Sequence, residues 1–265
     1  MKRGRVASLL LGAHVVLVLL FLLGPLIVAV AVAFSDGETI QFPPRGFSLR
    51  WFVEAAGSEL FRDAILYSAA IALLAALLSA IAGTAAALAL HRGRLPGRAF
   101  AQGFVMLPLA LPAIVLGLAL LPAMVGMGIR PGMAATVLGH AVIGVPYCTH
   151  LVLASLTHYD RDWDRASAAL GAGPLHTLLH VTLPNVAPGV AAGAICTFLL
   201  SFDNVSLSLF LARGDTLPLR LMQAIQHSAT PIVAAVSVFL VAVSAVAVVL
   251  LSRALRGRGA VRLAG

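Results

Sequence analysis

Polar residues along this chain fall in short clusters between six long apolar stretches, at 8–34, 64–90, 99–123, 133–157, 186–212 and 230–252. Each approximately meets the test of the roughly 20 apolar helical residues needed to cross a bilayer's hydrocarbon core. The pattern predicts an all-α integral membrane protein with six transmembrane helices in a single domain, 1–265. An even number of crossings puts both termini on one side. The first stretch follows a basic cluster, as in a signal peptide, but its apolar run far exceeds the ~7–15 residues of a cleavable h-region, so it is expected to be retained.

Several breakers interrupt these stretches, among them Gly24-Pro25, Pro108, Pro112, Pro122, Pro146 and Pro188. Proline within a membrane helix frees a carbonyl that neighbouring helices or a cavity must satisfy. A single one is an ordinary kink; several predict a bundle that encloses something. Gly189 and Gly193 form a G-x-x-x-G, which favours close helix packing.

Composition agrees. The 265 residues are 60% hydrophobic and 11% charged, with a mean hydropathy of +1.01. The net charge of +8 would suggest nucleic acid in a soluble protein. Here the basic residues form patches between apolar stretches, and no nucleic-acid partner is expected. Twelve of the 18 lie on the side of the termini: Lys2, Arg3, Arg5, Arg92, Arg94, Arg98, Arg161, Arg165, Arg253, Arg256, Arg258 and Arg262. The positive-inside bias therefore predicts cytoplasmic termini. Cys148 and Cys196 sit in apolar segments as small hydrophobes.

This orientation makes 158–185 an internal loop, the longest in the chain. It contains RASAALGAGPLHTLLHVTLP, from Arg165 to Pro184. Ala166 to Leu170 favours helix, Gly171 and Gly173-Pro174 break it, and Leu175 to Val181 can form a second short helix that Leu183-Pro184 ends. Leu170, Leu175, Leu178, Leu179 and Val181 would give the pair a sticky face, packed either on the chain's own helix ends or on a partner. His176 and His180 have the spacing of a zinc pair, but without a third ligand or an intervening Glu no metal site is expected. No P-loop or hydrolase motif is present, so neither catalysis nor a bound cofactor is expected, and ATP would be used by partner subunits.

The spacing of this loop resembles the E-A-A-x3-G-x9-I-x-L-P pattern of permease subunits of bacterial ABC importers. Arg165-Ala166-Ser167, Gly171 and Val181-Thr182-Leu183-Pro184 occupy its marked positions. GFSLRWF at 46–52, MLPLALPAIVLG, SFDN at 201–204 and TLPLRL extend the resemblance to the spermidine/putrescine branch. It implies a type I importer permease fold in a bacterial inner membrane, in contact with lipid. It also implies two ATPase subunits, a second homologous permease and an extracytoplasmic solute-binding protein. The coupling segment it implies includes Asp164, Arg165, Ala166, Ala169, Leu170, Gly171, Ala172, Leu175, Leu178, Leu183 and Pro184. Arg165 stands where the pattern has Glu, and Asp164, one residue earlier, supplies a nearby carboxylate.

For the translocation pathway the expected residues are Asp203, Asn204, Ser201, His140 and Tyr147. Asp203 lies within an apolar stretch, where a charge costs about 2.5–3.5 kcal/mol on insertion scales. It either caps a helix end locally or faces a pathway with Ser201, Asn204, Ser206 and Ser208. A pathway carboxylate suits a polyamine such as putrescine or spermidine. Ala113 stands where these permeases often carry Asp or Glu, which keeps another small amine, an opine, an amino-acid derivative or an aminophosphonate as alternatives. A stand-alone secondary carrier is the rival from another class.

Overall fold

The computed structural model describes residues 2–92, 96–157, 159–214, 216–227 and 230–260. Arg94 and Arg262, named above, and residue 158, the first of the predicted internal loop, lie outside them. The helices are α1 (Lys2–Ala33), α2 (Arg50–Gly57), α3 (Glu59–Arg92), α4 (Arg98–Ala110), α5 (Ala113–Gly126), α6 (Met133–Leu156), α7 (Asp162–Ala169), α8 (Pro174–Thr177), α9 (Leu183–Phe202), α10 (Val205–Leu211), α11 (Leu217–His227) and α12 (Ile232–Ala260). Four of the described helical stretches are long and apolar enough to cross a membrane, or five if α4 and α5 count as one. The apolar part of α12, Ile232–Val246, is shorter.

Two of the predicted single spans are each two helices. In the third, α4 and α5 meet at 107°. The Pro112 ring excludes Leu111 from the helical region, and Leu111 is extended at φ −95°, ψ 136°. The Pro112 carbonyl then accepts from Val115 and Leu116, both at 3.0 Å, and starts α5. In the fifth, α9 ends at Phe202 and α10 begins at Val205. Asn204 is extended, and its side-chain oxygen accepts from the Leu207 N–H at 2.9 Å, capping the new helix.

A third difference concerns Leu183-Pro184, which does not end the second loop helix. A π-turn at Leu178–Thr182 joins α8 to α9, so the helix runs on from Pro174 to Phe202. Pro184 follows the π-turn directly, so its missing N–H falls where the regular i→i−4 ladder is already interrupted. The Leu183 N–H bonds five residues back, to the Leu178 carbonyl, and the Asn185 amide donates to the Val181 carbonyl at 2.7 Å.

The chain forms two compact units, one comprising residues up to Arg62 with Leu221–Leu251, the other Asp63–Arg220. In the first, Ala33, Trp51 and Ala235 form a small core. Phe34 stacks on Phe47 at 5.2 Å and lies against Phe52 at 4.9 Å, so GFSLRWF folds back over the end of α1. In the second, α6 packs most extensively on α9 and α5 on α10. Close approach depends on glycine: a Cβ at Gly193 would lie 2.7 Å from Cys148 Cα, and one at Gly189 would lie 2.7 Å from the Leu151 carbonyl oxygen. The G-x-x-x-G expectation is thus borne out.

Candidate functional site

The loop is a helix, a glycine turn and a second helix. Asp162 and Asp164 lie in the first turn of α7, where carboxylates suit the helix dipole, and the Asp160 side chain accepts from the Asp162 N–H at 2.9 Å. Gly171, at φ +84°, ends α7. Its N–H bonds to the Ala168 carbonyl and the Ala172 N–H to the Ser167 carbonyl, the paired bonds of a Schellman motif. The Ser167 and Thr177 hydroxyls, 2.9 Å apart, tie α7 to α8. Ser167, which replaces the pattern's second Ala, is therefore part of the turn's fastening.

Most of the predicted apolar face points outward. Leu170 is 89% exposed and Leu175 66%, with Leu179 also exposed and Leu178 and Val181 half-buried. Ala166 and Ala169 are exposed and Ala172 is half-buried. Leu183 instead packs inward, on the cluster of Ala87, Val152, Leu156 and Val186. The rings of His176 and His180 stack at 4.1 Å.

Arg165 and Asp164 are adjacent in sequence and differ in surroundings. Arg165 reaches Asp162 at 2.7 Å, both side chains mostly exposed, and such a surface pair contributes about 0–1 kcal/mol. Asp164 turns inward: Arg92 Nη2 donates to its Oδ2 at 2.8 Å, while the Tyr159 hydroxyl at 2.6 Å and the Thr182 hydroxyl at 3.2 Å donate to its Oδ1. Arg92 Nη2 also bonds Thr182 Oγ1 at 2.5 Å. Bonds of this kind to a charged group contribute about 1.5–3 kcal/mol each, less where water reaches them. Burial first, and then the bond to Asp164, raise the Tyr159 phenol above its ordinary pKa, so it remains a donor at neutral pH. An open cleft of about 420 Å³ runs past this cluster, lined by Arg92, Arg161, Asp164, Arg165 and Thr177 among others. Arg92, Tyr159 and Thr182 were not anticipated; they come together from positions up to 90 residues apart.

Among the predicted pathway residues the structure joins His140 to Ser201, with Nδ1 2.6 Å from Oγ. The other ring nitrogen lies 3.5 Å from the Ser208 hydroxyl. The imidazole, 3% exposed, thus bridges α6 to both sides of the α9–α10 break. Asn204 spends its oxygen on the cap of α10. Asp203 is exposed on an open cavity of about 470 Å³, beside Leu200, Asn204 and Ser206. Tyr147 is half-buried two turns along α6 from His140, about 10 Å by helix rise. Ser201→Ala would leave the His140 Nδ1 without its partner; the expected cost is about 1–3 kcal/mol, read as a lower Tm of the detergent-solubilised protein.

Residues 79–257 match the family of binding-protein-dependent transport system inner membrane components. The chain belongs to this family. As a member, it is 29% identical over 241 residues to the spermidine/putrescine transport system permease protein PotC of Haemophilus influenzae, covering 90% of this chain and 93% of the relative. It is also 29% identical over 236 residues to the putrescine transport system permease protein PotI of Escherichia coli K12, covering 86% and 82%. Its fold matches a chain of a bacterial ABC transporter that imports the polysaccharide alginate, at TM-score 0.71 and 16% identity over 97% of this chain and 98% of that one. It also matches a chain of the MetNI methionine ABC transporter, at TM-score 0.63 and 20% identity over 76% and 99%. This membership carries the fold expectation: an all-helical membrane component of an importer.

Proposed function

We propose that this chain is the permease subunit of an ATP-driven importer for a polyamine such as putrescine or spermidine. It would form half of the pathway beside a second homologous permease, with two ATPases and an extracytoplasmic binding protein. The observation that carries this reading is the spermidine/putrescine relative aligned over nearly the whole of both chains. The outward-facing Leu170 and Leu175 on a stiff helix pair support an ATPase-docking role for 158–185. Six crossings with cytoplasmic termini in a bacterial inner membrane fit the basic-residue bias. Hydrolysis resides in the partner subunits, and no cofactor is assigned to this chain.

Asp203 supplies the carboxylate for a cationic solute, and Ser201, Asn204, His140 and Tyr147 line or shape the same region. Ala113 at the start of α5 removes the second anion that related permeases often carry, which favours the second reading, import of a less charged amine, opine or aminophosphonate.

The test is uptake of radiolabelled putrescine by cells that depend on this system. ATP-dependent uptake is expected; uptake that survives loss of ATPase activity but collapses with an uncoupler would establish a secondary carrier instead. Asp203→Asn is expected to raise KM for putrescine about 2- to 5-fold, as loss of a screened ion pair of about 0.5–1 kcal/mol implies. An unchanged KM would remove Asp203 from solute attraction.

A further inference from the structure

We infer that Asp164 is a positioning residue: with Arg92, Tyr159 and Thr182 it locks α7 to the ends of α3 and of the α8–α9 rod, so that displacement of the loop is passed to those helices. This rests on the proposed docking of 158–185 on an ATPase, and it assigns Asp164 a role different from that contact.

Both carboxylate oxygens are already engaged within the chain. Oδ2 is held by Arg92 and Oδ1 by Tyr159 and Thr182, and the Asp164 side chain is 25% exposed. Each bond leads to a different element. Arg92 is the last residue of α3, 72 residues away in sequence. Thr182 is fully buried at the close of the π-turn, immediately before α9. Tyr159 belongs to the segment that leaves α6. The Arg92 guanidinium also reaches Thr182, so two of the three anchors are braced against each other. Arg161, another cation beside the cluster, donates to the His91 carbonyl at 2.6 Å and adds a second tie between the start of α7 and the end of α3.

Without this cluster, α7 is joined to α8 by a turn containing Gly171 and Gly173 and by the Ser167–Thr177 bond. A force applied at Leu170 or Leu175 would then be absorbed by hinging at the turn. With the cluster intact, α7 cannot rotate without breaking a charged pair and two hydroxyl bonds, and the force reaches α3 and α9. The π-turn is the local irregularity that ends at Thr182, and such turns often mark functional positions in helices.

The experiment uses the assembled importer, purified through this chain and reconstituted in vesicles with its binding protein, with radiolabelled putrescine as probe. In Asp164→Asn, ATPase capture is expected to stay at the wild-type level while putrescine moved per ATP hydrolysed falls about tenfold, a change within the usual range of coupling energies. Thr182→Val is expected to act in the same direction with a smaller loss. Combining Arg92→Asp with Asp164→Arg is expected to restore most of the ratio, a rescue that simple destabilisation would not produce. Loss of ATPase capture in Asp164→Asn would make Asp164 a docking contact and overturn the inference, as would a wild-type ratio in both single variants. A wild-type chain that captures no ATPase would overturn the docking reading and this inference with it.

Discussion

Leu175→Glu is expected to abolish co-purification of the ATPase subunits while leaving the membrane fold intact. Leu175 is 66% exposed on α8, so a carboxylate there costs the isolated chain little. In a docked complex the same position would exchange an apolar contact, about 1.5–3 kcal/mol for a fully buried Leu, for a buried unpaired charge. The combined loss exceeds about 100-fold in affinity. Gly171→Pro reaches the same end through the backbone. Proline holds φ near −65°, whereas Gly171 sits at +84° and donates its N–H to the Ala168 carbonyl. The turn would open and α8 would leave its place beside α7. Both variants should elute as the wild type does in detergent gel filtration, and normal ATPase capture by both would remove the coupling role from this loop.

The second large effect is expected at the α6–α9 interface. A Cβ at position 193 would fall 2.7 Å from Cys148 Cα, and backbone cannot move aside as a side chain can. Gly193→Leu therefore forces the two helices apart, with an expected loss of about 1–3 kcal/mol and a markedly lower Tm in detergent. Uptake should fall with it, since the separation would also disturb the His140–Ser201 bridge between the same helices. Gly24→Ala in α1 is the control. Nothing lies within 4 Å of a Cβ there, and alanine is the better helix former by about 1 kcal/mol. A Gly193→Leu protein as stable as the Gly24→Ala protein would show that the close approach is dispensable.

Much of the fold is legible in order and spacing. The apolar stretches mark where helices form, although two of the six are broken into a pair, because burial of apolar side chains and internal satisfaction of the backbone leave a membrane chain few other choices. Gly171 marks the end of α7, since a Schellman turn requires positive φ, and the G-x-x-x-G marks a close helix contact. Pro112 and Asn204 were visible as well, yet whether a proline kinks a helix or splits it depends on what receives the two halves. Here α5 finds α10, and the His140 imidazole spans the second break. Leu183-Pro184 misled for a similar reason. Proline stops a helix only where its missing N–H is needed, and the π-turn makes the start of α9 a place where it is not.

The sequence by itself determined that this chain is a bundle of apolar helices with a glycine-broken loop, because period, length and charge bias are local properties that each segment carries alone. Only the tertiary structure decided the opposite fates of neighbouring carboxylates and cations. Asp162 and Arg165 pair in water, while Asp164, next to Arg165 in the chain, is drawn inward by Arg92, Tyr159 and Thr182. Which way a helical side chain points is a matter of about 100° per residue. What it meets there depends on segments 5, 18 and 72 residues away, and no local pattern records their position.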